Sequence, residues 1–298
     1  MQSSVKNQLN GSAAQPPKAR RIVICADDFG IDHAVDAGIL RLAGAGRLSA
    51  VSCLALGPSF AGRAPELRAA DVDVGLHFDL TEGVGGQEPA IALGELIARA
   101  CLGRLAPGWV DGRLERQLDA FERVHGEAPA HLDGHQHVHQ LPGVLPRVVE
   151  ILRRRYGERA PWLRCTLPRH QPGVGASNLF KAHVIGALGG HALQRATRRN
   201  GWRGNERFLG VYGLSGGADH YARLLRRWLE AAHDGDLLMC HPACPEHPAP
   251  LAVAGGGDAL MRQRAAEYQT LAGGDIARWL LDLGLRVERL GRIRPPSG

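Results

Sequence analysis

Residues 131–139, HLDGHQHVH, set His131, Asp133, His135, His137 and His139 at every second position. An extended chain sends alternate side chains to one face. The spacing therefore predicts one face bearing four imidazoles and a carboxylate, with Leu132 and Val138 on the other. Neutral imidazole and carboxylate together suit a divalent metal. Packing alone gives no reason for so much polarity in nine residues. The interleaved Asp, Leu and Val, away from either end of the chain, also distinguish the run from an affinity tag.

Three further apolar runs end in the same kind of residue. RIVICA (21–26) leads into Asp27–Asp28, VDVGL into His77, and DLLMC into His241. In parallel α/β folds ligands bind beyond the carboxyl ends of the strands, so four separate segments deliver Asp and His to one rim. Each has a plainer reading taken singly. Asp28 or Asp32 could cap a helix starting near His33, and His77 or His241 could be a hydrogen-bonded histidine of the core or a strand end. Their convergence favours chemistry. A catalytic divalent ion needs about three protein ligands, with positions left for water and substrate. One carboxylate and two imidazoles meet that need and leave a second Asp as base and a further His as acid. Cys240 and Cys244 flank His241, but no second cysteine pair follows to complete a zinc site.

The elements that must position these residues alternate regularly. Strands are expected at 21–26, 49–56, 72–78, 128–133, 162–167, 207–213, 236–241 and 285–290. Helices are expected at about 33–46, 59–70, 113–125, 142–156, 177–200, 218–233 and 258–283, the last split near Gly273–Gly274. Strand alternating with helix indicates parallel strands joined by right-handed crossovers. Eight strands suffice for a single distorted, TIM-like (β/α) barrel, taken as one domain over 21–294. Residues 81–112, rich in glycine, form a long insertion of the kind that serves as a lid or binding loop. Residues 1–20 read as a disordered leader. The segment 177–206 places Leu179, Phe180, Val184, Ile185 and Leu188 beside several arginines. Core packing is its default reading, with a partner surface or a membrane-side cover as alternatives.

Composition narrows the class. The 298 residues are 44% hydrophobic and 22% charged, values of a globular protein. No apolar run is long enough to span a bilayer and no stretch resembles a signal peptide, which points to a cytoplasmic protein whose six cysteines stay reduced. The net charge of +6 comes mainly from arginine. Aromatics at 5%, without basic–aromatic alternation, argue against nucleic acid as a partner.

ADDFG (26–30), GLHFDLT (75–81), HLDGHQHVH (131–139) and MCHPA (239–243), in that order, resemble the signatures of the YdjC-like family, also called the ChbG/HpnK family, of metal-dependent carbohydrate deacetylases. The resemblance extends from about residue 21 to 290. It implies a distorted (β/α) barrel that removes acetyl groups from N-acetylated amino sugars. It carries Asp28, His77 and His135 over as ligands of one divalent ion, Mg2+ or Zn2+, with Asp27 as general base and His241 as acid or electrostatic partner. Asp133 would orient a ligand imidazole, His137 and His139 would stand behind His241, and Arg169 could hold a sugar hydroxyl or a negative group, although a plain surface arginine is its default reading. The chain departs from the family at His135–Gln136–His137, where consecutive histidines are frequent. Some relatives act on chitin oligosaccharides and others are associated with hopanoid lipids, so an oligosaccharide and a glycolipid both stand as substrates, and a homodimer stays open. A phosphoesterase-like hydrolase is disfavoured because the first strand ends in Asp–Asp rather than His-x-His. A catalytically silent sugar-binding protein is disfavoured because Asp27, Asp28, His77 and His135 are all present.

Overall fold

The structure is a computed structural model that describes residues 19–86, 90–246 and 257–293. Most of the expected leader and residues 87–89 of the expected lid lie outside the described residues.

Eight parallel strands alternate with helices. They are β1 (Arg20–Phe29), β2 (Ala50–Cys53), β3 (Asp73–Phe78), β4 (His131–Gly134), β5 (Trp162–Leu163), β6 (Phe208–Leu209), β7 (Asp236–Cys240) and β8 (Leu285–Val287). The helices are α1 (His33–Gly44), α2 (Phe60–Leu67), α3 (Leu93–Cys101), α4 (Pro107–His125), α5 (Leu145–Tyr156), α6 (Ala176–Ala187), α7 (Gly190–Arg199), α8 (Gly217–Ala231), α9 (Gly257–Ala272) and α10 (Gly274–Asp282). Ile22 to Ala26 of β1 are fully buried, as expected of a parallel strand covered on both faces.

The sheet order is β5-β4-β3-β2-β1-β7-β6. Bridges from Leu163 to Gly204 and from Pro168 to Phe208 bring its two outer edges together, so the sheet curls into a nearly closed, distorted barrel. The eighth strand stands apart from the expected wall. β8 pairs with Arg20–Ile22 at the start of β1, whereas β2 pairs further along the same strand from Cys25. β5 and β6 are two-residue strands, far shorter than their apolar runs suggested. The runs continue instead through irregular backbone in which Asn205 substitutes for ladder partners, accepting from Cys165 N–H and donating to the Cys165 carbonyl.

The insertion expected at 81–112 holds α3 and the start of α4, with Leu96, Ala100 and Val110 buried in the core. One expectation needs correction. The helix expected at 177–200 is two helices. They break at Leu188–Gly189, where Gly189 has φ +143° and its backbone presses on the Gln140 carbonyl so closely that a Cβ would lie 1.9 Å from that oxygen.

Candidate metal centre

The Asp27–Asp28 pair lies in a break of register. Ala26 pairs with Val51 and Phe29 with Cys53, so β1 spends one residue more than β2 over this interval. Such bulges re-aim side chains at strand ends. Asp28 takes φ +71°, a left-handed conformation that aspartate tolerates better than most residues. Both carboxylates are thereby turned into the barrel mouth and buried.

The alternation predicted across 131–139 holds only as far as Gly134. His131 and Asp133 share the inward face of β4, but a 3-10 turn then runs from His135 to Gln140, with Gln136 and His137 in the left-handed region. The turn separates the imidazoles. His135 swings toward Asp28, with Nδ1 3.0 Å from Oδ1. His137 lies edge-on to Phe208, and His139 folds back to donate from Nε2 to the Arg164 carbonyl at 2.9 Å. His131 stacks on Trp162 in space left by Gly75, whose Cβ would come within 2.3 Å of the ring. Four imidazoles on one face is therefore incorrect, because the chain ceases to be extended after Gly134.

Asp28, His77 and His135 meet. One ligand atom from each lies within 4.8 Å of the others, and Asp28 Oδ1 is 3.5 Å from His77 Nε2. Ligand atoms bonded at about 2.1 Å to one tetrahedral cation sit about 3.4 Å apart, and Asp28 Oδ1 lies 3.5 Å from His77 Nε2 and 3.0 Å from His135 Nδ1, spacings that fit a divalent ion. The outer nitrogen of His77 is also held, and that of His135 has a carboxylate nearby. His77 Nδ1–H donates to Asp133 Oδ1 at 2.6 Å, which leaves Nε2 with a lone pair toward Asp28. His135 Nε2 lies 3.6 Å from Glu82 Oε1. A carboxylate behind a ligand imidazole fixes its tautomer and raises its basicity.

The charges also fit a cation. Burial opposes ionisation of His77, but Asp133 and Asp27 outweigh it and lift the imidazole to about 10. Burial likewise opposes His135, and Asp28 outweighs it, giving about 9. Burial acts to raise the Asp28 pKa, but the Arg264 guanidinium and His135 hold it well below the usual carboxylate range. Among the described residues Asp27, Asp28 and Asp133 face two buried guanidiniums, Arg164 and Arg264, so one negative charge is left for protons or a cation to balance.

Two other groupings have comparable spacing among the described residues, Asp27–His77–Asp133 and Cys25–His131–Asp133. Arg164 already fills both. Its guanidinium, fully buried, donates to both oxygens of Asp27 at 2.6 Å and to Ser52 and Cys25 at 3.0 Å, and pairs with Asp133 Oδ2 at 2.5 Å. Cys240 and Cys244 join no such grouping among the described residues. Cys244 Sγ accepts from Arg41 and the Cys240 thiol faces the Cys25 carbonyl.

His241 follows β7, and its backbone N–H donates to Glu267 Oε2 at 2.6 Å. Burial pulls its imidazole down to about 4, partly countered by Asp28 and Asp27. Arg169 is the residue the structure removes from the site. It forms a two-pronged pair with Asp236, at 2.6 and 2.8 Å. Asp236 stands in register with Ile22, six residues before Asp28, which at about 3.3 Å per residue is about 20 Å away.

Sequence reasoning missed Arg164, Arg264, Glu267, Glu82 and Ser52. Arg164 carried a signal, since an arginine inside the apolar run WLRCTL must find a buried partner. Arg264 and Glu267 lie on α9 and carried none.

The fold and this site define an α/β barrel protein with a candidate divalent-cation centre at its carboxyl rim. The chain belongs to the YdjC-like protein family, whose model matches residues 21–282. It is 31% identical over 309 residues to a mouse (Mus musculus) carbohydrate deacetylase, covering 93% of this chain and 97% of that one. It is 31% identical over 135 residues to a chitooligosaccharide deacetylase of Serratia marcescens, covering 43% of this chain and 53% of the other. Among solved structures, a candidate cellobiose-phosphate cleavage protein from Enterococcus faecalis V583 superposes with a TM-score of 0.66 at 18% identity, covering 93% of this chain and all of that one.

Proposed function

We propose that this chain hydrolyses the acetamide of an N-acetylated amino sugar, as an oligosaccharide or a glycolipid, releasing acetate and the free amine. The observation that carries the reading is the meeting of Asp28, His77 and His135 at the strand ends. The relatives named as carbohydrate deacetylases support the substrate class. Those three residues would hold one divalent ion, Mg2+ or Zn2+. Such an ion, when bound, polarises a carbonyl and makes hydroxide available near neutral pH.

The chain's own groups do the rest. Asp27, fixed by the Arg164 fork, takes a proton from the attacking water. His241, neutral in the resting site because burial lowers its pKa to about 4, takes up the proton that Asp27 drew from the water and passes it to the departing nitrogen, which leaves both groups as they began. Asp133 keeps the His77 Nε2 lone pair free, while His137 and His139 support the turn that carries His135. The free cysteines support a reducing, cytoplasmic location. Among the described residues no helix is long and apolar enough to cross a membrane.

Acetate release should be measured across N-acetylglucosamine oligomers and N-acetylated glycolipids, with chelator and with Mg2+ or Zn2+ restored. Release that chelator abolishes and cation restores is expected. Absence of acetate from every substrate with cation present, or release of phosphate from phosphate esters instead, would overturn the reading.

A further inference from the structure

From Ala160 to Asn205 the chain contains no Asp or Glu. Of the cations in this stretch, Arg164 and Arg169 are engaged by buried carboxylates. Lys181 donates to the Tyr212 carbonyl and Arg203 to that of Gly291. Arg195, Arg198 and Arg199 remain, all exposed on α7 and without a hydrogen-bonding or ion-pair partner among the described residues. Spaced i, i+3, i+4, they share one helix face. On α4 and α5, by contrast, Arg147, Arg154 and Arg155 each meet a carboxylate.

The preceding helix, α6, carries an exposed apolar stripe. Ala176, Phe180, Val184 and Ala187 of α6 fall at intervals of four, four and three residues, a single stripe, and all are exposed. Phe180 is 72% exposed and Val184 42%, two of the four large exposed hydrophobic residues of the described chain. The opposite side of α6 buries Ala182 and Gly186. The helical pair is seated on the turn that carries His135. Gln140 Nε2 donates to the Ile185 carbonyl at 2.7 Å, and Gly189 packs on the Gln140 carbonyl.

An exposed apolar stripe on one helix, followed in the chain by unneutralised arginines on the exposed face of the next, is the pattern of a segment that lies in the interface of an anionic bilayer. We infer that α6 and α7 form a membrane-docking face for anionic phospholipid, with Phe180 and Val184 entering the acyl boundary and Arg195, Arg198 and Arg199 at the headgroups. Because α6 and α7 pack on the His135 turn through Ile185 and Gly189, docking brings the side of the barrel that carries this turn toward the lipid surface. Charge complementarity selects this occupant over a second copy of the chain, which would bring the same positive face against itself. The inference stands whether or not the hydrolytic reading holds.

The test is co-sedimentation of the full chain with vesicles of phosphatidylcholine alone, or of phosphatidylcholine with phosphatidylglycerol, at low and high salt, without substrate. Binding is expected only to the anionic vesicles and should weaken with salt. Each arginine near an anionic surface contributes a factor of about five. The triple variant R195Q/R198Q/R199Q should therefore lose about a hundredfold in partitioning, and F180S/V184S at least tenfold. Both variants should keep the wild-type circular dichroism, since the residues are exposed. Failure of the wild type to bind anionic vesicles, or undiminished binding by both variants, overturns the inference. So does a wild-type dimer in size-exclusion chromatography that F180S/V184S converts to monomer, which would assign the face to a second copy.

Discussion

Replacing Asp133 with Asn tests how the candidate centre is held. Asp133 is fully buried and saturated, with Oδ1 accepting from His77 Nδ1–H at 2.6 Å and Oδ2 facing Ser52 at 2.6 Å and the Arg164 guanidinium at 2.5 Å. Asparagine keeps the shape but offers one acceptor and one NH2. Arg164 is a donor only, so the amide oxygen must turn toward it and the NH2 toward His77. His77 Nδ1 must then accept, which moves the ring proton to Nε2, the nitrogen facing Asp28. An Nε2–H cannot ligate a cation. Loss of such an orienting carboxylate typically costs 10–100-fold in metal affinity, about 1.4–2.8 kcal/mol, and the reversed tautomer sets the expectation at the upper end. Calorimetric titration of Zn2+ into chelator-stripped wild type and D133N gives the affinity, and ring 15N NMR of His77 gives the tautomer. Thermal melts establish that the variant is folded. An affinity within threefold of wild type, with Nδ1 still protonated, would refute the argument.

Three further expectations follow from the same geometry. His77 and His135 carry raised pKa values, about 10 and about 9, in the cation-free site, so a cation must displace their protons. Affinity should therefore fall as pH drops below about 9, by up to tenfold per unit for each imidazole, with proton release seen as a buffer-dependent calorimetric heat; a flat profile from pH 6 to 8 would contradict the ligand assignment. R164M leaves Asp27 and Asp133 buried without their guanidinium and should cost about 3–5 kcal/mol in urea unfolding; a loss under 1 kcal/mol would show that the fork is not needed. R169A should lower stability by about 1–3 kcal/mol through the unpaired, buried Asp236 while leaving kcat/KM for acetate release unchanged. A selective rise in KM would return Arg169 to the substrate site.

Much of the site was legible because strand ends in parallel α/β folds are chemically predictable. RIVICA, VDVGL and DLLMC are continuous apolar runs, and a polar residue after such a run has to stand at the rim. That logic located Asp27, Asp28, His77 and His241 without knowledge of any contact. It failed where it assumed a regular backbone. Gln136 and His137 end the alternation of 131–139 by local dihedral choices that hydrophobic period does not encode. It also misplaced Arg169, because an irregular segment after a two-residue strand can exit at either end of the barrel.

The sequence by itself determined the order of strands and helices, the family, and the residue types available at the rim, since these depend on local patterning and motif spacing. Only the tertiary structure decided which of those residues share a centre. Arg164 reaches across 137 positions to Asp27, and Arg264 across 236 to Asp28. A buried charge takes whatever opposite charge the fold brings within reach. That choice ties Asp27 and Asp133 to Arg164 and one oxygen of Asp28 to Arg264, and leaves the other Asp28 oxygen facing His77 and His135.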